Sequence, residues 1–156
     1  MSSIFLDMDG VIADFDSSYR NIFGVNCRDD PKRKNWNTFI LKHNGFENLE
    51  MMSDGVELIE HLRSLKVPIT ILSCAGKLET YAEVSHQKTA WLKKKGLDDL
   101  PRIFTHTKSG KADHATPTSI LIDDSIQCIE PFIKAGGKGI LHTSTLTTIE
   151  ELGQII

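Results

Sequence analysis

The chain has 156 residues, 40% of them apolar, and a formal charge of −3, which suits one compact domain around one core. No basic block of the kind that tracks a long nucleic acid stands out, and no apolar run approaches the roughly 20 residues of a membrane helix. Cys27, Cys74 and Cys128 are widely spaced and odd in number, so they signal neither a zinc site nor a disulfide framework. Asp7 interrupts Ile4-Phe5-Leu6 before anything like a signal peptide can form, and a soluble, cytoplasmic protein is the expectation.

In chain order, Ser3–Leu6 is the first short apolar run, and it stops at Asp7-Met8-Asp9-Gly10. Residues 17–52 follow, with Asp30-Pro31, the basic stretch Lys32-Arg33-Lys34, and the aromatics Tyr19, Phe23, Trp36, Phe39 and Phe46. They predict a small, mainly helical insertion. Val56, Ile59, Leu62 and Leu65 then fall at i, i+3 spacing, which predicts a helix with Ser53 or Asp54 as its N-cap. A second apolar run, 69–72, ends at Ser73-Cys74-Ala75-Gly76, and a helical pattern over 78–95 closes at Gly96. Arg102–Thr105 is a weaker strand candidate. A third strong run, 119–122, ends at Asp123-Asp124-Ser125. A helix over 126–135, a weaker strand at Lys138–Leu141 and a last helix over 145–156 complete the order.

Ile-rich runs without polar alternation read as strands buried on both faces of a parallel sheet. Their alternation with helices predicts right-handed βαβ units. The expected fold is therefore α/β, a Rossmann-like doubly wound parallel sheet. Residues 1–16 and 53–156 form its core, and 17–52 form a helical cap inserted after the first strand.

Ligands of such sheets bind beyond the carboxyl ends of the strands, where Asp7, Asp9, Asp123 and Asp124 would converge. Two unit charges ~4 Å apart repel by about 4 kcal/mol at an effective dielectric of 20, so the cluster calls for a hard divalent cation. Oxygen-only donors favour magnesium over zinc. Asp7 can attack phosphorus, and Asp9 can protonate a leaving oxygen and later activate water. The Ser73 hydroxyl and nearby backbone amides can hold phosphate oxygens, and Lys108 or Lys111 can supply positive charge. Each feature alone is commonplace: D-x-D occurs in many loops, and Asp-Asp after a strand is often a helix cap. Their joint placement at strand ends is what points to chemistry.

Taken together, these residues resemble the haloacid dehalogenase-like (HAD) phosphohydrolases. Asp7-Met8-Asp9-Gly10-Val11 is similar to that family's first motif, Ser73 to its second, a lysine to its third and Asp123-Asp124 to its fourth. The resemblance implies Asp7 as nucleophile and Asp9 as acid and base. It implies magnesium held by Asp7, the backbone carbonyl of Asp9 and Asp124, with Asp123 close by. Phosphate contacts fall to Gly10, Ser73, Cys74 and a lysine. Lys111, followed by Ala112-Asp113-His114-Ala115, is preferred, and Lys108 is the alternative.

Residues 5–15 (FLDMDGVIADF) and Leu121-Ile122-Asp123-Asp124 followed by Gly136-Gly137 resemble the 5'(3')-deoxyribonucleotidase branch more narrowly. This implies hydrolysis of (deoxy)nucleoside monophosphates, with cap aromatics (Phe15, Trp36, Phe39 and Phe46) toward the base or packing the cap itself. Ser73-Cys74 departs from that branch's Thr-Ser. A sugar phosphate, another small phosphate or a polynucleotide end is the alternative substrate, and a non-catalytic binding protein on the same fold is the alternative of another class.

Overall fold

A computed structural model of the chain describes residues 1–156. Its centre is a five-stranded parallel sheet of β1 (Ser3–Leu6), β2 (Ile69–Cys74), β3 (Arg102–Thr105), β4 (Ser119–Asp123) and β5 (Lys138–Leu141), in the order β3-β2-β1-β4-β5. All five predicted strands form, and the α/β doubly wound architecture is the one expected. β1 is the central strand: Leu6 faces Ile71 of β2 on one side and Ile122 of β4 on the other. The chain builds outward from β1 through β2 and β3, then restarts at β4 on its opposite side. That reversal opens a crevice at the carboxyl ends of β1 and β4.

Successive strand residues point to opposite faces. Ile4, Leu6, Ile69, Ile71, Ile120, Ile122 and Ile140 join the larger core, with Leu58 and Leu62 of α3 (Gly55–Ser64), Trp91 of α4 (Leu78–Lys94) and Leu152 of α6 (Thr145–Ile155). Leu72 and Leu121 pack on the other face against Cys128, Ile129 and Phe132 of α5 (Ile126–Lys134). Two helix details differ from expectation. Val56 is 54% exposed, and Leu58 takes its place in the buried stripe of α3. Asp54 occupies the N-cap position, yet its carboxylate accepts from the Thr145 amide at 2.9 Å, joining the starts of α3 and α6.

Residues 17–52 are built of short helical pieces joined by turns. Helix α1 (Phe15–Phe23) begins two residues early, with Asp14 accepting from the Ser17 amide at 3.3 Å, and it stops at left-handed Gly24. Two 3-10 turns follow, Cys27–Asp29 and Pro31–Arg33, before the six-residue α2 (Trp36–Leu41). The cause is local. Asp30 is buried, accepting from the Tyr19 hydroxyl and from the Asn35 amide at 3.2 Å, while Lys32 and Arg33 adopt left-handed backbone (φ 54 and 49) that ends a helix.

The insertion has an aromatic centre. Phe15 stacks on Phe46 with centroids 5.6 Å apart, and Phe39 sits edge-on to both. α4 fastens this unit to the core: Gln87 donates to Ile40 O at 2.8 Å and accepts from the Phe46 amide at 3.1 Å, and Trp91 donates to Leu49 O at 2.8 Å. No helix is long and apolar enough to cross a membrane.

Candidate active site

Asp7 is the first residue beyond β1, and its amide donates to Ile122 O of β4 at 3.0 Å, so it stands on the crevice. Asp123 ends β4 and Asp124 follows; carboxylate oxygens of Asp7, Asp123 and Asp124 lie within 4.8 Å of one another. Lys111, on the 3-10 turn Ser109–His114, reaches into this cluster from below. It is buried, and its ammonium donates to Asp7 Oδ1 at 3.0 Å and to Asp123 Oδ2 at 2.6 Å. Burial works against that charge, but Asp7 and Asp123 outweigh it and hold the ammonium above the ordinary lysine value. Lys108 is exposed and donates instead to Gln127 at 3.3 Å.

The carboxylates are crowded. Burial, then the charge of Asp7, pushes Asp123 up to about 6 despite Lys111. Asp124 opens to solvent on one side, yet loss of hydration in the crevice and the charges of Asp7, Asp123 and Asp9 push it up to about 8. Gly10 makes this crowding sterically feasible. Its φ is +81, and a Cβ there would lie 1.9 Å from Asp124 Oδ2. Glycine at this position gives Asp124 its seat.

Asp9 points elsewhere. Its Oδ2 accepts from the ammonium of Lys88 at 3.0 Å, and the same ammonium donates to Ser73 Oγ at 2.7 Å and to Cys74 O at 2.9 Å. Burial raises Asp9 above the ordinary carboxylate value, and Lys88 opposes that rise. Asp9 Oδ1 is buried without a hydrogen-bond partner. Ser73 is fully buried; its oxygen accepts from Lys88, which leaves its own hydrogen free to donate. Cys74 contributes its carbonyl to this arrangement.

Lys88 is the site residue that motif reading passes over. A lysine inside a long helical pattern reads as solvent-facing, yet Lys88 shares the buried face of α4 with Val84, Gln87, Trp91 and Leu92. That register, i−4, i+3 and i+4 to apolar residues, was the available signal.

Of the four aromatics, Phe39 has no exposed surface and Phe46 almost none, so both pack the interior of the insertion. Phe46 also lies under the Lys88 ammonium, 4.9 Å from its ring centre. Phe15 and Trp36 are half-buried and keep some exposed surface. His142 is buried with its ring on Thr148 at 2.7 Å, and His106 stacks on Tyr81.

Four carboxylates face two lysines here. With all groups ionised, two negative charges remain uncompensated, which matches one divalent cation. Asp7, Asp123 and Asp124 offer hard oxygen donors without sulfur or imidazole, and that donor set fits magnesium.

No protein-family model matches the sequence, and neither does any curated protein. Solved structures do. A hydrolase from Pseudomonas syringae superposes with a TM-score of 0.61 at 12% identity, covering 100% of both chains. A HAD-superfamily hydrolase from Ehrlichia chaffeensis gives 0.59 at 14% identity, over 99% of this chain and 98% of that one. A HAD-family hydrolase from Deinococcus radiodurans, with bound phosphate and sodium, gives 0.58 at 12% identity, over 98% and 88%. The chain therefore has the fold of HAD-superfamily hydrolases.

Proposed function

We propose that this chain is a magnesium-dependent phosphomonoester hydrolase of the haloacid dehalogenase-like superfamily, working through an aspartyl-phosphate on Asp7. Its proposed substrates are (deoxy)nucleoside monophosphates, as the resemblance of residues 5–15 to the 5'(3')-deoxyribonucleotidases implies. The observation that carries the reading is a division of labour between neighbours: Asp7 joins Asp123 and Asp124, while Asp9, two residues on, is held by Lys88.

Asp7 attacks phosphorus; the bond to the leaving oxygen breaks as the bond to the Asp7 carboxylate forms. Asp9, whose raised pKa favours a bound proton and whose Oδ1 has no competing partner, gives that proton to the leaving oxygen. Water then attacks the aspartyl-phosphate, Asp9 takes its proton, and inorganic phosphate leaves with Asp7 regenerated. Lys111 keeps the Asp7 carboxylate oriented and offsets charge on the transferring group, and the Ser73 hydroxyl donates to a phosphate oxygen. Asp7, Asp124, the carbonyl of Asp9 and neighbouring Asp123 would hold magnesium, which supplies the charge neutralisation that lets an anionic nucleophile meet an anionic ester.

Phosphate release from a panel of nucleoside monophosphates and sugar phosphates, with magnesium or EDTA, tests the assignment. Magnesium-dependent release from deoxynucleotides that disappears in Asp7→Asn is the expected result. Release confined to sugar phosphates would keep the mechanism and replace the substrate. Folded protein inert across the panel would favour a binding role instead.

A further inference from the structure

Lys32, Arg33, Lys34 and Lys77 surround a single cavity of about 250 Å³, bordered also by Trp36 and Gly76. All four cations are exposed, and none takes part in an ion pair. On a chain of net charge −3, four unpaired cations around one cavity make a local positive field that an anion would relieve.

The cavity is built rather than incidental. Lys32 and Arg33 are held in left-handed backbone, a strained state for residues with side chains. The anchor is Asp30, whose carbonyl accepts from the Arg33 amide at 2.9 Å and whose carboxylate is buried on Tyr19. The Arg33 guanidinium lies over the Trp36 ring, 4.8 Å from its centre. One wall belongs to the insertion and the other to the loop between β2 and α4. Gly76 is only three residues past Ser73, a chain span of at most about 11 Å. The volume lies at the small end of ligand sites, which run from roughly 300 to 1,000 Å³, and suits one group of a ligand.

We propose that this cavity holds a second phosphate of the substrate, so that the preferred substrate is a nucleoside bisphosphate with one phosphate on Asp7 and the other among Lys32, Arg33, Lys34 and Lys77. The inference rests on the phosphatase reading above and narrows its substrate class. Half-buried Trp36, its ring covered by the Arg33 guanidinium, borders the cavity and lends an apolar edge to the nucleoside between the two phosphates. Hydrolysis breaks one P–O bond; water supplies the oxygen to the departing phosphate and a hydrogen to the freed hydroxyl. The products are a nucleoside monophosphate and inorganic phosphate.

Titration of Asp7→Asn protein with deoxyadenosine 3',5'-bisphosphate, the corresponding 3'- and 5'-monophosphates and fructose 1,6-bisphosphate, all in magnesium, tests the cavity without turnover. The nucleoside bisphosphate should bind at least about tenfold more tightly than either monophosphate, and the ratio should shrink as salt screens the charges. Adding Lys32→Ala and Lys77→Ala should bring the ratio to within about threefold of one, whereas Lys93→Ala with Lys95→Ala, at the far end of α4, should leave it unchanged. Equal affinities, or a ratio that survives the first pair, would overturn the proposal; tighter binding of the sugar bisphosphate would overturn its nucleoside half. A cavity-dependent ratio in a protein that hydrolyses nothing would sustain the cavity and sink the hydrolase reading. Hydrolysis of monophosphates with no bisphosphate preference would do the reverse.

Discussion

Lys88 and Asp9, 79 residues apart in the chain, meet at 3.0 Å, and that contact gives the two aspartates of Asp7-Met8-Asp9 different surroundings. Without Lys88, Asp9 would be a fourth carboxylate facing Asp7, Asp123 and Asp124. With it, one oxygen of Asp9 is fixed and the other is left without a partner. α4 thus gives the two aspartates the different settings that the proposed roles of nucleophile and proton donor require.

Lys88→Met should lower kcat on the order of 100-fold, the size of a general acid–base contribution. Lys88 favours the ionised form of Asp9, so its removal shifts Asp9 further up. The alkaline limb of the kcat/KM profile, which needs Asp9 protonated, should move to higher pH, and Lys88→Arg should restore it. A limb that stays put while activity and stability fall together would make Lys88 a structural support only.

The two candidates for the third-motif lysine are separable by stability as well as rate. Lys111→Met leaves Asp7 and Asp123 without their buried cation and should cost about 3–5 kcal/mol in EDTA. Lys108→Met removes an exposed lysine that contacts Gln127 and should change stability by less than about 0.5 kcal/mol. Urea melts of both variants, read beside their phosphate release, check this. A large rate loss in Lys108→Met with little in Lys111→Met would reverse the assignment.

The strands and the acidic motifs could be read because each depends on contiguous residues: an apolar run, then a carboxylate where the run stops. The register of Lys88 with Val84, Trp91 and Leu92 signals only that it is buried; its partners Asp9, Ser73 and Cys74 lie on other elements, so its role could not be read. The helix at Val56 was misphased for a geometric reason. A strict three-residue repeat drifts about 60° per step on a helix that turns ~100° per residue. Val56 and Leu65 therefore face opposite ways, and Leu58 fills the buried stripe. The insertion defeated pattern reading at Asp30 and Lys32-Arg33, whose conformation depends on Tyr19, a residue of α1.

Gly10→Ala should act through Asp124. The new Cβ would overlap Asp124 Oδ2, and the positive φ adds strain of about 1–3 kcal/mol. Asp124 must swing away, so magnesium affinity, measured by titrating the restoration of activity after EDTA, should fall at least about tenfold. Unchanged magnesium affinity with lowered stability would mean that Asp124 moves without consequence for the metal.

The crowded carboxylates also set how stability of the magnesium-free protein depends on pH. In the folded chain burial, then the charge of Asp7, pushes Asp123 up to about 6 and Asp124 up to about 8, against an ordinary value of 3.8. Between those values the folded state holds protons that the unfolded state has released, so stability falls as pH rises. This contribution is complete below about pH 4 and is lost progressively up to about pH 8. In EDTA, Tm should therefore decline from pH 5 to pH 8. Magnesium binds the ionised carboxylates and should raise Tm more at pH 8 than at pH 5. Asp124→Asn removes the more strongly shifted of these two groups and should flatten the decline in EDTA while weakening the magnesium response. Scanning calorimetry across this range decides the matter: a Tm in EDTA that rises toward pH 8 would mean that the carboxylates are already compensated within the fold, and charge balance would no longer call for a divalent cation.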